Sequence, residues 1–303
     1  MRSLLIFTLV GVGAQLVDGA LGMAFGVTAT TLLVLSSVGA AQASAAVHLA
    51  EVGTTLASGL SHWRFKNIDW SIVLKLGAPG AIGAFAGATV LSSLSTEHAA
   101  PLMAGILVVI GAYVLLRFSL RNPPVLRHGE TPHSAKFLSP LGLFGGFIDA
   151  SGGGGWGPVT TSTLLSRGKT APRTVIGSVS ASEFLVAASA SVGFGIGLRE
   201  EFVQNLPIVL GLAIGGVIAA PIAAWLVSRI NPALLGSAVG GVIVLTNSQK
   251  LVHYFGIEWP WSTALYSAIV IAWGALVFVA WRTSRAPKSV PAGDDVETVV
   301  ISR

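Results

Sequence analysis

The sequence contains no cysteine, so neither disulfide bonds nor thiolate metal ligands take part in its fold or its chemistry. Charge is nearly as scarce: Asp, Glu, Lys and Arg together supply 10% of the 303 residues, against about 25% in an ordinary soluble domain. Long stretches lack all four. Alternation of apolar and polar residues is missing as well, which excludes a membrane β-barrel, whose strands require it. What is present is apolar: 52% hydrophobic residues and a mean hydropathy of +0.76. A bilayer-spanning helix needs about 20 mainly apolar residues, and several segments reach that length, so this is an all-α polytopic membrane protein. The formal net charge of +5 comes from Lys and Arg in connecting segments and the tail. They read as topology signals and not as a nucleic-acid surface.

One short pattern occurs twice. An apolar run from Leu4 reaches Asp18-Gly19-Ala20-Leu21-Gly22-Met23-Ala24-Phe25-Gly26, followed by Thr28, Thr30 and Thr31. Later, Gly145-Gly146-Phe147-Ile148 leads to Asp149-Ala150-Ser151-Gly152-Gly153-Gly154-Gly155-Trp156-Gly157, then Pro158-Val159 and Thr160-Thr161-Ser162-Thr163. Each copy runs from an acid through glycines and one large aromatic to a Thr-rich segment. With one residue inserted at Pro158, Thr28, Thr31, Val47 and Glu51 match Thr160, Thr163, Val179 and Glu183. Chance apolar similarity aligns Leu with Leu, but not two rare acids in the same order. Internal duplication of this kind is typical of secondary transporters. The N-terminus has signal-peptide character, with Arg2, an apolar stretch and small residues at Gly11 to Ala14. The internal copy of the Asp18 motif argues that the segment belongs to the mature chain.

The expected organisation is a first repeat (1–118), a connector (119–136), a second repeat (137–251), an extra span (252–282) and a disordered tail (283–303). Within it, spans are predicted near Ala43–Leu60, Trp70–Leu94, Ala99–Leu116, Thr174–Leu198, Phe202–Val227, Pro232–Leu245 and Trp261–Trp281. If Lys- and Arg-rich loops are cytoplasmic, both ends of Phe137–Ser166 face the cytoplasm. That element then enters and returns as a re-entrant hairpin broken at Asp149–Gly157, and Leu4–Leu35 does the same from outside. The two repeats are thus inverted, and the C-terminus is cytoplasmic. Trp63, Trp70, Trp259, Trp261 and Trp281 fit interfacial belts.

Unwound Gly-rich backbone at membrane depth is tolerated only inside protein or along a cavity. A return helix starting near Gly157, with Pro158 in its first turn, aims free N–H groups at the glycine loop, and this suits a small anion. The expected substrate-binding residues are Gly152, Gly153, Gly154, Gly155, Trp156, Thr160 and Thr161 of the second copy and Gly22, Phe25 and Thr28 of the first, with His48 and its counterpart Ser180. Asp18, Glu51, Asp149 and Glu183 are natural positions for a coupling ion, because a buried carboxylate tends to protonate or to pair with a cation. Asp18 and Asp149 also suit helix caps. No metal site and no cofactor are expected.

The paired Gly-rich stretches, the paired Glu51 and Glu183 and the basic mid-chain connector resemble the sulfite exporter TauE/SafE family of bacterial membrane proteins. The likeness runs over Leu4 to Leu251. It implies a multi-pass protein of the cytoplasmic membrane that moves sulfite, sulfoacetate or a related organosulfonate, as export, coupled to protons or sodium. A homodimer is compatible with it. Leu21, Met23 and Ala24 stand where the second copy has glycines. Two other classes fit some residues: a cation carrier or channel using the four acids, and an intramembrane enzyme with Asp18 and Asp149 as an aspartyl dyad. The glycine loops weigh against the first, and the duplication of the whole chain is not required by the second.

Overall fold

A bilayer offers backbone N–H and C=O groups no water, so a chain this apolar satisfies them within helices. The computed structural model describes residues 2–21, 23–120, 133–167, 169–199, 206–227 and 231–285. Gly22, most of the connector and the tail beyond residue 285 lie outside the described residues. Among the described residues there are eleven α-helices and no strand. They are α1 (Arg2–Leu21), α2 (Phe25–Leu35), α3 (Ala40–Arg64), α4 (Trp70–Ser93), α5 (Thr96–Leu120), α6 (Ala135–Gly152), α7 (Ser162–Arg167), α8 (Pro172–Leu198), α9 (Leu206–Val227), α10 (Pro232–Tyr254) and α11 (Trp261–Arg285).

Local chemistry accounts for several boundaries. Asp69 caps α4 by accepting from the Ser71 and Ile72 N–H groups, and Asn231 caps α10 through Ala233. Pro172 and Pro232 occupy first-turn positions, where the N–H that proline lacks would be unpaired anyway. Helix α6 ends at Gly153 in the left-handed region, φ 71°. Between α6 and α7, Gly157–Thr161 forms a single π turn. This turn falls on Pro158, the extra residue of the second copy, and its wider ring absorbs one residue without rotating the following helix out of register.

Among the described residues, four segments are long and apolar enough to cross a membrane: Trp70–Ser93, Glu97–Leu120, Arg173–Leu198 and Trp261–Ser284. Helices α3, α9 and α10 have comparable length but carry more polar residues or shorter apolar stretches. Four helices outrun the sequence expectation at their C-terminal ends: α3 continues to Arg64, α5 to Leu120, α10 to Tyr254 and α11 to Arg285, so the divisions expected at residues 118 and 251 fall inside helices. Trp63, Trp70, Trp259 and Trp261 are exposed at helix ends or beside them.

Helix α1 lies on α9 and α5 on α10, while α4 packs on both α6 and α8, and α8 also packs on α3. Helix α11 stands outside, against α10 and α5, and only 6% of its apolar window is buried. Lipid tails are as apolar as leucine, so helix association in a membrane depends on close contact made possible by small residues. The α4–α6 crossing uses Gly83 and Gly87 against the carbonyls of Leu143 and Phe147, and Gly142 and Gly146 against those of Leu76 and Gly80. The α1–α9 crossing has the same device in Gly11, Gly211 and Gly215, and α5–α10 has Gly111 and Gly240. A methyl group at Gly83 would collide with backbone, whereas at Gly105 it would meet open space. Gly83→Ala is therefore expected to cost about 1–3 kcal/mol by overpacking. Gly105→Ala should be neutral or slightly stabilising through helix propensity. Thermal unfolding of the two variants in detergent checks the contrast.

Candidate functional site

Each duplicated motif breaks a helix and restarts it. In the first, α1 stops at Leu21 and α2 begins at Phe25, with Ala24 at φ 108°. The restart is capped by Asp18, whose Oδ1 accepts from the Phe25 N–H at 3.2 Å. In the second, Asp149 Oδ1 accepts from the Trp156 N–H at 2.9 Å. Both acids thus span seven residues to bond the backbone of the aromatic that opens the next helical segment. The two tips meet: the Thr30 hydroxyl donates to the Gly153 carbonyl, and Gly154 packs on Gly26. Gly154 needs its freedom, since it has φ 143° and a Cβ there would strike the Gly26 and Val27 backbone.

Helices α3 and α8 supply the flanking walls. From α3, His48 is fully buried, with Nε2 3.1 Å from Asp149 Oδ2 and Nδ1 2.8 Å from the Ser44 carbonyl. The Ser44 hydroxyl donates to the Ala150 carbonyl at 2.6 Å, which ties α3 to the end of α6. One turn further on, Glu51 is buried, and its Oε2 has no hydrogen-bond partner among the described residues. From α8, the Val179 carbonyl accepts from the Trp156 indole N–H at 3.2 Å, seating that ring as a fully buried wall.

These elements enclose a cavity of about 270 Å³. Asp18, Phe25, Glu51, Asp149, Gly154, Gly155, Trp156, Thr161, Ser180 and Glu183 line it, so ten of the sixteen expected site residues share one space. The other described ones support it from behind. Gly152 packs on Ile106, Gly153 presents its carbonyl to Thr30, and the Thr160 hydroxyl donates to the Trp156 carbonyl. His48 sits behind Asp149, and Thr28 is buried with its hydroxyl unpartnered among the described residues. Gly22 lies outside the described residues.

Sequence reasoning missed part of the lining. Thr54, Thr55, Ser58 and His62 follow Glu51 along the cavity, as do Ile176 and Val179 ahead of Glu183; Gln15 and Met23 complete the first tip. The signal was available: Glu51, Thr54, Thr55, Ser58 and His62 recur at helical spacing, giving α3 one polar face. No Lys or Arg lines the cavity among the described residues. His48, Glu51 and Asp149 offer ligand-type atoms within 4.8 Å of one another. Both imidazole nitrogens are already engaged in hydrogen bonds, which reads as a polar network and assigns no metal.

The tip contact yields a stability prediction. Gly154→Ala introduces both a strained φ and a backbone collision and should reduce the yield of monodisperse protein in size-exclusion chromatography. Gly155→Ala, whose methyl would meet only the Ile110 and Ile148 side chains and the Asp149 Cα, should not.

The family model described as "Sulfite exporter TauE/SafE" matches residues 7–249. A Bacillus subtilis (strain 168) protein described as "Probable membrane transporter protein YtnM" is 49% identical over 276 residues, covering 91% of this chain and 90% of that protein. A second from the same strain, "Probable membrane transporter protein YdhB", is 25% identical over 171 residues, 56% of this chain and 68% of that one. No solved structure matches the chain. A multi-pass helical chain matched over four-fifths of its length belongs to the TauE/SafE family of membrane transporters.

Proposed function

We propose that this protein is an ion-coupled secondary transporter for a small sulfur-containing anion, sulfite or a short organosulfonate such as sulfoacetate. The observation that carries the reading is the cavity wall formed by Gly154, Gly155, Trp156 and Gly157 at the start of the return helix, with Thr161 beside it and no Lys or Arg among the described lining residues. The Gly154 and Trp156 N–H groups are bonded to Asp149, and the positive helix end favours an anion there without the cost of burying Lys or Arg. The sulfur chemistry rests on the family description.

Inverted repeats are supported by the packing. Exchanging first-half helices for second-half ones (α1 with α6, α3 with α8, α4 with α9, α5 with α10) interconverts α1–α9 and α6–α4, returns α3–α8 and α5–α10 onto themselves, and turns α4–α8 into the smaller α9–α3 contact. Such a two-fold arrangement with a site between opposed tips suits alternating access. The main cavity runs along α3 from Glu51 to His62 and along α8 from Glu183 back to Ile176. At the other ends of these helices lies a separate polar pocket of about 220 Å³, lined in part by Gln42, Ser92, Ser95 and Gly197. Buried Val47, Val186, Ala190 and Phe194 lie on the helix segments between them. Arg64, Lys66, Arg167, Lys169 and Arg173 lie in sequence near the His62 and Ile176 end, which under the positive-inside rule supports reading this as an inward-facing state. Export from the cytoplasm would begin from it.

Two measurements test this reading. In proteoliposomes on a supported membrane, sulfite or sulfoacetate jumps should produce a transport current. Thr161→Val should weaken the apparent affinity about tenfold, the equivalent of about 1.4 kcal/mol for one hydrogen bond to an anion. Currents from sodium or a divalent cation alone, with no response to either anion, would instead identify a cation carrier. The absence of native cysteine permits the second test. Ser58→Cys should react with an impermeant thiol reagent from the cytoplasmic side and Ser95→Cys from the outside, with the Ser58→Cys rate falling as transport turns the site outward.

A further inference from the structure

The hydrogen bonds around His48 determine where its protons are. Nδ1 lies 2.8 Å from the Ser44 carbonyl oxygen, which can only accept. Its other neighbour, the Ser44 hydroxyl at 3.3 Å, has its hydrogen committed to the Ala150 carbonyl. Nδ1 therefore carries a hydrogen. In a neutral imidazole, Nε2 then has only a lone pair, yet it stands 3.1 Å from Asp149 Oδ2. Two acceptors at that separation need a hydrogen between them.

We propose that His48 and Asp149 jointly hold one exchangeable proton, and that this proton is the coupling ion. Loaded, the pair is neutral overall, either as carboxylic acid and imidazole or as imidazolium and carboxylate. Unloading breaks the bond from the shared hydrogen to Nε2 or Oδ2 and passes that proton to water in the cavity, which Asp149 borders. A carboxylate then faces a lone pair inside the protein. Glu51 on α3, Glu183 on α8 and Asp18 on α1 are the other ionisable groups toward it, all acidic, with only His62 further along the cavity. That arrangement disfavours an anion in the cavity, so proton and substrate are held together and released together.

The proton also bears on the shape of the anion site. Asp149 Oδ1 holds the Trp156 N–H, and the adjoining Ala150 carbonyl is held by the same Ser44 that orients His48. The first half lacks this device: Ser180 occupies the position equivalent to His48 and bonds Ser58 at 2.8 Å. Among the described residues there is therefore one such His–Asp pair.

For its role in transport the proposal rests on the transporter reading, but the proton itself does not. Asp149→Asn tests the coupling, because an amide can donate to Nε2 and still accept from the Trp156 N–H, keeping the geometry without an exchangeable proton. In proteoliposomes the variant should retain exchange of labelled against unlabelled sulfite and lose net flux driven by a pH gradient. Net flux that still follows the pH gradient, or loss of exchange as well, would overturn the coupling role. Nitrogen-15 spectra of histidine-labelled protein, with His48 assigned through His48→Gln, test the proton directly. The expected wild-type signal is a protonated Nδ1 with a strongly hydrogen-bonded Nε2, becoming an ordinary neutral Nδ1–H imidazole in Asp149→Asn. A wild-type His48 with a bare Nδ1 would overturn the proposal. If the wild type moves neither anion under any gradient, the transporter reading fails while the spectra still decide the proton site.

Discussion

The constraint on which this molecule depends is that no backbone polar group can be left bare at membrane depth. Breaking a helix there exposes several N–H and C=O groups at once, and the protein does so twice. Asp18 and Asp149 answer the N–H groups that open the return helices, and Thr30 and Ser44 answer carbonyls at the second tip. Those partners come from α1, α2, α3 and α6, so the tips are ordered only when the helices around them are assembled. The cavity is the space such an assembly leaves between two tips and two walls.

Close packing of small residues then decides where the walls stand. Glycines at three helix crossings bring backbone against backbone, and Gly26 against Gly154 does the same for the tips. The acidic groups of the cavity are consequently brought near one another, with no Lys or Arg among its described lining residues. The cap role of the two aspartates and a role in ion coupling are not alternatives here. Each carboxyl has two oxygens, and at Asp149 one bonds the return helix while the other faces His48.

Much of this was legible from residue order. The scarcity of charge, the apolar runs and the paired Asp-Gly-aromatic-Thr stretches pointed to a helical membrane protein with two broken elements. The extra residue at Pro158 marked a place where something must yield, and the chain yields there by a π turn. The polar face running from Glu51 to His62 was also readable, although rare acids drew the eye before common Thr and Ser did. Helix ends were less legible: α5 and α10 run past their apolar stretches because helical hydrogen bonding continues wherever the neighbouring helix still packs.

By itself the sequence determined the solvent of this protein, its helical class, the two places where helices break and the acids that stand beside them, because composition and local backbone chemistry act over a few residues. Only the tertiary structure decided which oxygen bonds which nitrogen. His48 and Asp149 are 101 positions apart, and Thr30 and Gly153 are 123 apart. Nothing local to either partner encodes such a contact; it follows from how α1 settles on α9 and α6 on α4. That same packing turned Thr160 inward to its own helix and Thr161 toward the cavity, a difference of one residue that the run Thr160-Thr161 leaves open until neighbouring helices surround it.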